Sequence, residues 1–182
     1  MSTLHLIHPD NRPFVDFPVF DPDRDELATF RKEMLQRFAA MAPPDAIEVD
    51  ERLVPGSAGA SVVRVLLYRP ARGQPGGPAI LYIHGGGFFT GTPDMMNTAS
   101  QALADKTGAL VVSVDYRLAP ETPFPGPVED CYAALAWVHD MADQLAIDSS
   151  RITVFGESAG GGLAAATAQL VRDRGRYALK AQ

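Results

Sequence analysis

From residue 78 to the end of the chain, short apolar runs rich in β-branched residues alternate with segments of helical length. The runs PAILYI, ALVVSVDY and RITVF predict strands. Helices are predicted at about 93–106 and 126–145, and a third is predicted to begin at Ser158. Such an alternation is typical of a parallel sheet whose strands are joined by crossover helices. The sequence therefore predicts a fold of the α/β class.

The first part of the chain has a different pattern. Residues 1–20 contain scattered prolines and predict an extended arm, whereas DPDRDELATFRKEMLQRFAAM repeats apolar side chains every three or four positions and predicts an amphipathic helix. AIEVDERLV and SVVRVLLYRP then predict two antiparallel strands separated by the turn PGSAGA. We accordingly expect an N-terminal arm and helix over residues 1–45 and an α/β core over residues 46–182.

Composition narrows the possible partners. The chain has 182 residues, of which 46% are hydrophobic, as expected of one domain with a sizeable core. Its 16 Lys and Arg against 22 Asp and Glu give a net charge of −6 without a basic cluster, so we expect no nucleic-acid partner. No apolar run reaches the roughly 18 residues of a membrane span, and MSTLHLIHPDNRPF has no leader character. We expect a cytoplasmic protein.

Several residues that could carry chemistry favour structural interpretations instead. Cys131 lies on an apolar helical stripe, so we interpret it as a core residue rather than a nucleophile, and His139 flanks the same stripe. His5 and His8 lack further metal ligands nearby. The acidic residues at 21–25 lack the Gly and Glu that a calcium loop requires. We expect no metal site.

In RITVFGESAGG, an apolar strand runs directly into a turn that holds one serine between two glycines, and a small-residue helix follows. A serine on such a turn has a strained backbone and an exposed hydroxyl, and a side chain at Gly156 or Gly160 would collide with neighbouring elements. The N–H group of Ala159 lies at the helix N-terminus, where negative charge is stabilised. We interpret Ser158 as a nucleophile, with an ordinary glycine turn as the alternative.

A second glycine-rich turn, HGGGFFTG, follows the apolar run ILYI. The consecutive residues Gly85, Gly86 and Gly87 allow backbone N–H groups to approach a ligand closely, as an oxyanion hole requires. A phosphate-binding loop is disfavoured, because Thr90 stands where the last glycine of such a motif belongs and no Lys-Ser or Lys-Thr follows. Since ligand sites of parallel sheets form at the carboxyl ends of strands, we expect both turns to meet around one carbonyl group.

Together, the motifs HGGGF, DYRLAPETPFP and GESAGG resemble those of the hormone-sensitive-lipase-like (bacterial family IV) esterases of the α/β-hydrolase fold. DYRLAPE, at residues 115–121, is the most discriminating motif, and the resemblance spans essentially the whole chain. It implies that Ser158 is the nucleophile and that His84 shapes the loop rather than acting as the base. It also implies an oxyanion hole in the loop that begins at Gly85. The N–H groups that would form this hole are those of Gly86, Gly87 and Ala159.

The same resemblance identifies the N-terminal arm and helix as a cap over the acyl pocket, so Phe30, Met34 and Phe38 become candidates for substrate contact. Glu157 stands where Asp is commoner in the family's elbow, which we interpret as a tolerated variant. The implied chemistry is acyl transfer to the serine followed by hydrolysis, without a metal or an organic cofactor.

The sequence also departs from the family. Members continue with further strands, a triad Asp and a triad His, whereas here both His84 and His139 precede Ser158, against the fold's usual order of Ser, acid and His. We therefore expect a sheet that lacks its last strands and a chain that is inactive by itself. RITVF would then be an unpaired sheet edge, which favours self-association or a complementing chain.

The function that we expect is hydrolysis of short or medium acyl esters, with a small-molecule ester as substrate. Two alternatives stay open at this point. One is a non-catalytic small-molecule-binding module on the same scaffold, and the other is an amidase or peptidase that uses the same elbow.

Overall fold

A computed structural model of the chain describes residues 7–10, 20–21, 26–41, 49–57 and 62–182. Most of the predicted arm and the start of AIEVDERLV lie outside these residues. A short 3-10 turn, Pro93–Met96, leads into the second of the helices. The helices and strands follow one another in the order α1 (Leu27–Met41), β1 (Asp50–Val54), β2 (Val63–Tyr68), β3 (Gly77–Ile83), α2 (Asn97–Thr107), β4 (Leu110–Asp115), α3 (Gly126–Asp140), α4 (Ala142–Leu145), β5 (Ile147–Gly156) and α5 (Ala159–Arg174).

The five strands form one sheet in the order β1-β2-β4-β3-β5. β1 and β2 pair antiparallel, as the sequence predicted, and β2 is also antiparallel to β4. β3 lies between β4 and β5 and is parallel to both. The half of the sheet that carries both glycine-rich turns is therefore parallel, with helices as its crossover connections.

The sheet buries an apolar cluster on each face, because successive side chains of a strand point to opposite sides. Leu81 and Ile83 of β3 belong to the larger cluster, which residues of α3 and α5 complete. Tyr82, between them, belongs to a smaller cluster that includes Ala104 of α2. The predicted α/β-hydrolase arrangement of strands joined by crossover helices is confirmed, and the structure places these helices on both faces of the sheet.

The apolar stripe predicted for residues 126–145 is buried, but the helix is broken. α3 ends at Asp140, and the short α4 ends at Leu145, followed by Ala146, whose φ of 56° is left-handed. Cys131 is a core residue, as predicted, and His139 flanks the stripe with its Nε2 atom 2.8 Å from the carbonyl oxygen of Ala178. The stripe residues, each at most 8% exposed, are Val128, Cys131, Leu135, Val138, Ala142 and Leu145.

The outer edge of β5 is paired in part by the last residues of the chain. The N–H group of Lys180 donates to the carbonyl oxygen of Ile152 at 2.7 Å, and the N–H group of Val154 donates to that of Ala181 at 3.1 Å. Thr153 and Ala181 form a parallel bridge. The expectation of a wholly unpaired edge is therefore wrong, because the chain returns to the sheet after α5.

Helix α1 confirms the amphipathic helix predicted near the N-terminus, with Phe30 and Met34 on its buried side. Within the part of the chain that the structure describes, none of the helices combines the length and the apolar character that a bilayer crossing requires.

The Cys131 thiol is expected to be inert in the folded protein. Its side chain is fully buried, and burial raises its pKa far above the ordinary value, so almost no thiolate is present at neutral pH. Titration with a disulfide reagent such as DTNB should give negligible reaction under native conditions and one equivalent after denaturation in guanidinium. Rapid reaction of the native protein would contradict this position in the core.

Candidate active site

The two glycine-rich turns leave neighbouring strands at the same level of the sheet. In the parallel pairing of β3 with β5, Ile83 lies opposite Gly156, so the turn after each strand begins at the same edge. A Cβ atom placed on Gly85 would lie 3.4 Å from the Cβ atom of Ser158 and 3.1 Å from the carbonyl oxygen of Glu157. The two turns are thus in direct contact, as the sequence predicted.

The turn between β5 and α5 holds Ser158 in a strained conformation, with φ 53° and ψ −124°. A Cβ atom on Gly156 would lie 2.3 Å from the carbonyl oxygen of Gly160, and one on Gly160 would lie 2.1 Å from that of Ile83. No side chain fits at either position. The predicted physical reason for the two glycines is therefore confirmed.

The side chain of Ser158 is exposed and forms no hydrogen bond with any residue that the structure describes. The ring of His84 hydrogen-bonds elsewhere, at the carbonyl oxygen of Gly85, and the ring of His139 does so at Ala178. His8 is exposed and lies beside Asp10, and His5 lies outside the described residues. None of the described histidines is therefore in position to take a proton from Ser158.

The loop after β3 turns through three consecutive left-handed residues: Gly86 at φ 123°, Gly87 at φ 61° and Phe88 at φ 67°. A Cβ atom on Gly86 would lie 2.0 Å from the carbonyl oxygen of Thr90, so the tight turn excludes any side chain there. Among the described residues, no acceptor takes a hydrogen bond from the backbone N–H groups of Gly85, Gly86, Gly87 or Ala159. Unpaired N–H donors beside an exposed hydroxyl could bind an anion.

His84 supports this loop from below as a buried, neutral side chain. Its Nδ1 atom donates to the carbonyl oxygen of Gly85 at 2.7 Å, and its ring stacks on Tyr116 with centroids 4.3 Å apart. Burial lowers the pKa of His84, although the bond to the Gly85 carbonyl opposes this effect. The Nε2 atom has no hydrogen-bond partner among the described residues, so a proton there would be unpaired.

The DYRLAPE segment contributes contacts that the sequence analysis missed. The hydroxyl of Tyr116 donates to the carbonyl oxygen of His84 at 3.0 Å, and the N–H group of Ala119 donates to that of Phe88 at 2.9 Å. Arg117 is held by Asp130 through its backbone N–H and two guanidinium nitrogens. The motif, which begins at the end of β4, therefore supports the glycine loop. Its residues indicated a family, but the sequence gave no indication of these hydrogen-bond partners.

Glu157 is anchored rather than free to act on Ser158. Its carboxylate accepts a hydrogen bond of 2.8 Å from the hydroxyl of Tyr82, whose ring stacks on that of Phe155 with centroids 5.5 Å apart. Burial, and then the carboxylate of Glu157, raise the pKa of Tyr82. The longer side chain of Glu at this position thus has a structural partner on the neighbouring strand.

Of the predicted cap residues, Phe30 packs into an aromatic group, and its contact with substrate stays a prediction. Its ring centroid lies 5.2 Å from that of Phe20 and 6.2 Å from that of Phe89 in the glycine loop. Phe30 and Met34 are each only 8% exposed. These contacts dock α1 against the loop.

Among the residues that the structure describes, no group of three or more His, Cys, Asp or Glu side chains could hold a metal ion.

A strained serine and a glycine loop at the carboxyl ends of two adjacent parallel strands, in a sheet of this order, define the α/β-hydrolase class of fold. A comparison with protein families matches residues 80–182 to a family described as having the alpha/beta hydrolase fold. The carboxylesterase NlhH of Mycobacterium tuberculosis is 40% identical over 162 residues, which are 87% of this chain and 50% of that protein. The carboxylic ester hydrolase LipN of the same organism is 38% identical over 96% of this chain and 46% of its own length.

Solved structures agree with these relatives. A bacterial heroin esterase superposes with a TM-score of 0.89 at 37% identity, covering 98% of this chain and 57% of that one. An esterase of Pyrobaculum calidifontis gives a TM-score of 0.84 at 41% identity over 96% of this chain and 56% of its own. The chain belongs to the hormone-sensitive-lipase-like (bacterial family IV) esterases of the α/β-hydrolase family. It spans about half the length of the curated relatives that it matches.

Replacement of Gly160 by Ala is expected to lower the free energy of unfolding by more than about 2 kcal/mol, because the new methyl group overlaps the carbonyl oxygen of Ile83. Gly162→Ala is the matched control on the same helix, where a Cβ atom would meet only the Phe88 ring at an ordinary 3.7 Å. The control is expected to be neutral or to stabilise by about 0.5–1 kcal/mol through helix propensity. Urea denaturation followed by circular dichroism measures both, and equal stabilities would contradict the close contact at Gly160.

Proposed function

We propose that the protein hydrolyses carboxylic esters and that Ser158 is its nucleophile. The observation that carries this proposal is the exposed serine on a strained turn, in contact with a loop whose N–H groups are unpaired. Such donors stabilise the negative charge that develops on a carbonyl oxygen during acyl transfer.

In the proposed reaction, the Oγ atom of Ser158 attacks the ester carbonyl carbon while a general base accepts its proton. The carbonyl oxygen becomes an oxyanion that accepts hydrogen bonds from Gly86, Gly87 and Ala159. The intermediate collapses with loss of the alcohol, which takes the proton back from the base, and leaves an acyl ester on Ser158. Water then attacks that ester by the same route and releases the acid.

Each backbone donor of this kind contributes about 2.7–4 kcal/mol to transition-state stabilisation. His84 has a different proposed role, since its hydrogen bond to Gly85 and its contact with Tyr116 support the loop's backbone. Because His84 is neutral and buried, it adds no fixed positive charge beneath the oxyanion site, and stabilisation is left to the N–H dipoles.

The proposed general base, a histidine oriented by an acid, lies outside the described residues, because none of the described histidines contacts Ser158. A further segment of the same polypeptide or a second chain would supply it. The 182 residues alone are accordingly expected to hydrolyse esters only weakly, since loss of a triad member lowers turnover by as much as about 10⁶-fold in a serine hydrolase.

Short or medium acyl esters are the proposed substrates. Relatives named ethyl acetate hydrolase, from Pseudomonas putida, and arylesterase, from Saccharolobus solfataricus, are 43% and 41% identical to parts of this chain. These names favour small esters over amides or peptides.

The natural protein that carries these 182 residues is expected to hydrolyse p-nitrophenyl butyrate, and Ser158→Ala should lower kcat by about 10⁶-fold. Ser149→Ala, a control at another exposed serine, should leave kcat unchanged. A fluorophosphonate should add to Ser158 of the active protein, as detected by intact mass and peptide mapping. Undiminished turnover in Ser158→Ala would refute the assignment, and saturable ester binding without turnover would favour the non-catalytic alternative.

A further inference from the structure

One guanidinium group connects the N-terminal helix to the glycine loop. The Nε atom of Arg31, on α1, donates to the carbonyl oxygen of Phe89 at 2.6 Å, and its Nη2 atom donates to that of Ala119 at 2.8 Å. Both terminal nitrogens also bind the carboxylate of Glu121, at 2.7 and 2.9 Å. Arg31 thus joins three segments that are distant in the sequence: α1, the glycine loop and the DYRLAPE motif.

These bonds restrain a loop that is poorly stable by itself. Phe88 is a non-glycine residue in the left-handed region, which carries an intrinsic conformational cost. Within the loop, only the N–H groups of Phe89 and Thr90 bond back, both to the carbonyl oxygen of Gly86. The carbonyl groups of Phe88 and Phe89 are held from outside, by Ala119 and Arg31 respectively. These bonds fix the two peptide groups whose N–H atoms, those of Phe89 and Thr90, donate to the carbonyl oxygen of Gly86. That carbonyl belongs to the same planar peptide group as the N–H of Gly87.

Arginine suits this position because its planar group can direct separate N–H donors at three acceptors at once, whereas a lysine ammonium lacks that fixed geometry. Glu121 lies beside the guanidinium, which lowers the pKa of its carboxyl to about 2. The pair therefore stays ionised across the pH range in which esterases are assayed. The tilted rings of Phe30 and Phe89 hold the same two elements together through apolar contact.

We propose that Arg31 is a positioning residue for the glycine loop. Gly86 and Gly87 then present their N–H groups to the oxyanion correctly only while α1 is docked. This inference rests on the proposed function of that loop, and it makes the N-terminal helix part of the transition-state machinery as well as a cover over the site. Loss of the guanidinium should affect the chemical step more than substrate binding.

The first test compares Arg31→Gln, Arg31→Lys and Lys32→Gln in the natural protein, with p-nitrophenyl butyrate as substrate. Lys32 is an exposed neighbour on the same helix, so its replacement removes the same charge without touching the loop. We expect Arg31→Gln to lower kcat by about 10- to 100-fold with KM changed less than about threefold. Arg31→Lys should recover part of the loss, and Lys32→Gln should match the wild type. A change in KM alone, or unaltered kinetics in Arg31→Gln, would overturn the proposal.

A second measurement does not depend on catalysis, so it separates failure of this proposal from failure of the proposed function. In ¹H–¹⁵N NMR spectra, the amide resonances of Gly86 and Gly87 should shift in Arg31→Gln and stay in place in Lys32→Gln. Arg31→Lys provides the same comparison if the Gln variant does not fold. Unmoved Gly86 and Gly87 resonances in a folded Arg31 variant would overturn the coupling, whether or not Ser158 proves to be the nucleophile.

Discussion

The site depends on the parallel pairing of β3 with β5. Because these strands are neighbours and run in the same direction, the turns that follow them emerge side by side, and backbone alone can bring a serine next to a row of N–H groups. The contact is so close that position 160 has no room for a side chain beside the carbonyl oxygen of Ile83, while position 156 is closed by Gly160 of its own turn. The strained backbone of Ser158 is a local consequence of the sharp turn from β5 into α5, and the sheet and α5 together maintain it.

Support for the glycine loop is arranged in layers. His84 and Tyr116 lie beneath it as neutral, stacked rings, while Ala119 and Arg31 hold its carbonyl groups from the sides. The Arg31–Glu121 ion pair beside the loop faces solvent at its outer side. A peptide dipole stabilises an oxyanion best when it cannot rotate, and each of these contacts restricts the rotation of peptide groups in the loop.

Local patterns in the sequence were sufficient to predict the α/β class, the antiparallel β1–β2 pair, the elbow and the contact between the two turns. They were sufficient because each depends on periodicity or on glycines within a few residues of one another. The break between α3 and α4, the return of residues 180–181 to β5 and the contacts of Arg31 were not predicted. Arg31 and Phe89 are 58 positions apart, and nothing in the local pattern of α1 distinguishes Arg31 from its exposed neighbours.

The close contact at Gly160 has a consequence for the way this protein can vary over evolutionary time. Every amino-acid change that a single-nucleotide substitution can make at a glycine codon introduces a Cβ atom, and at this position that atom meets a carbonyl oxygen 2.1 Å away. Two helical residues later, at Gly162, the same mutations meet open space and one aromatic edge. Two nearby glycines of α5 therefore place different constraints on mutation: the geometry excludes a Cβ atom at Gly160 and admits one at Gly162.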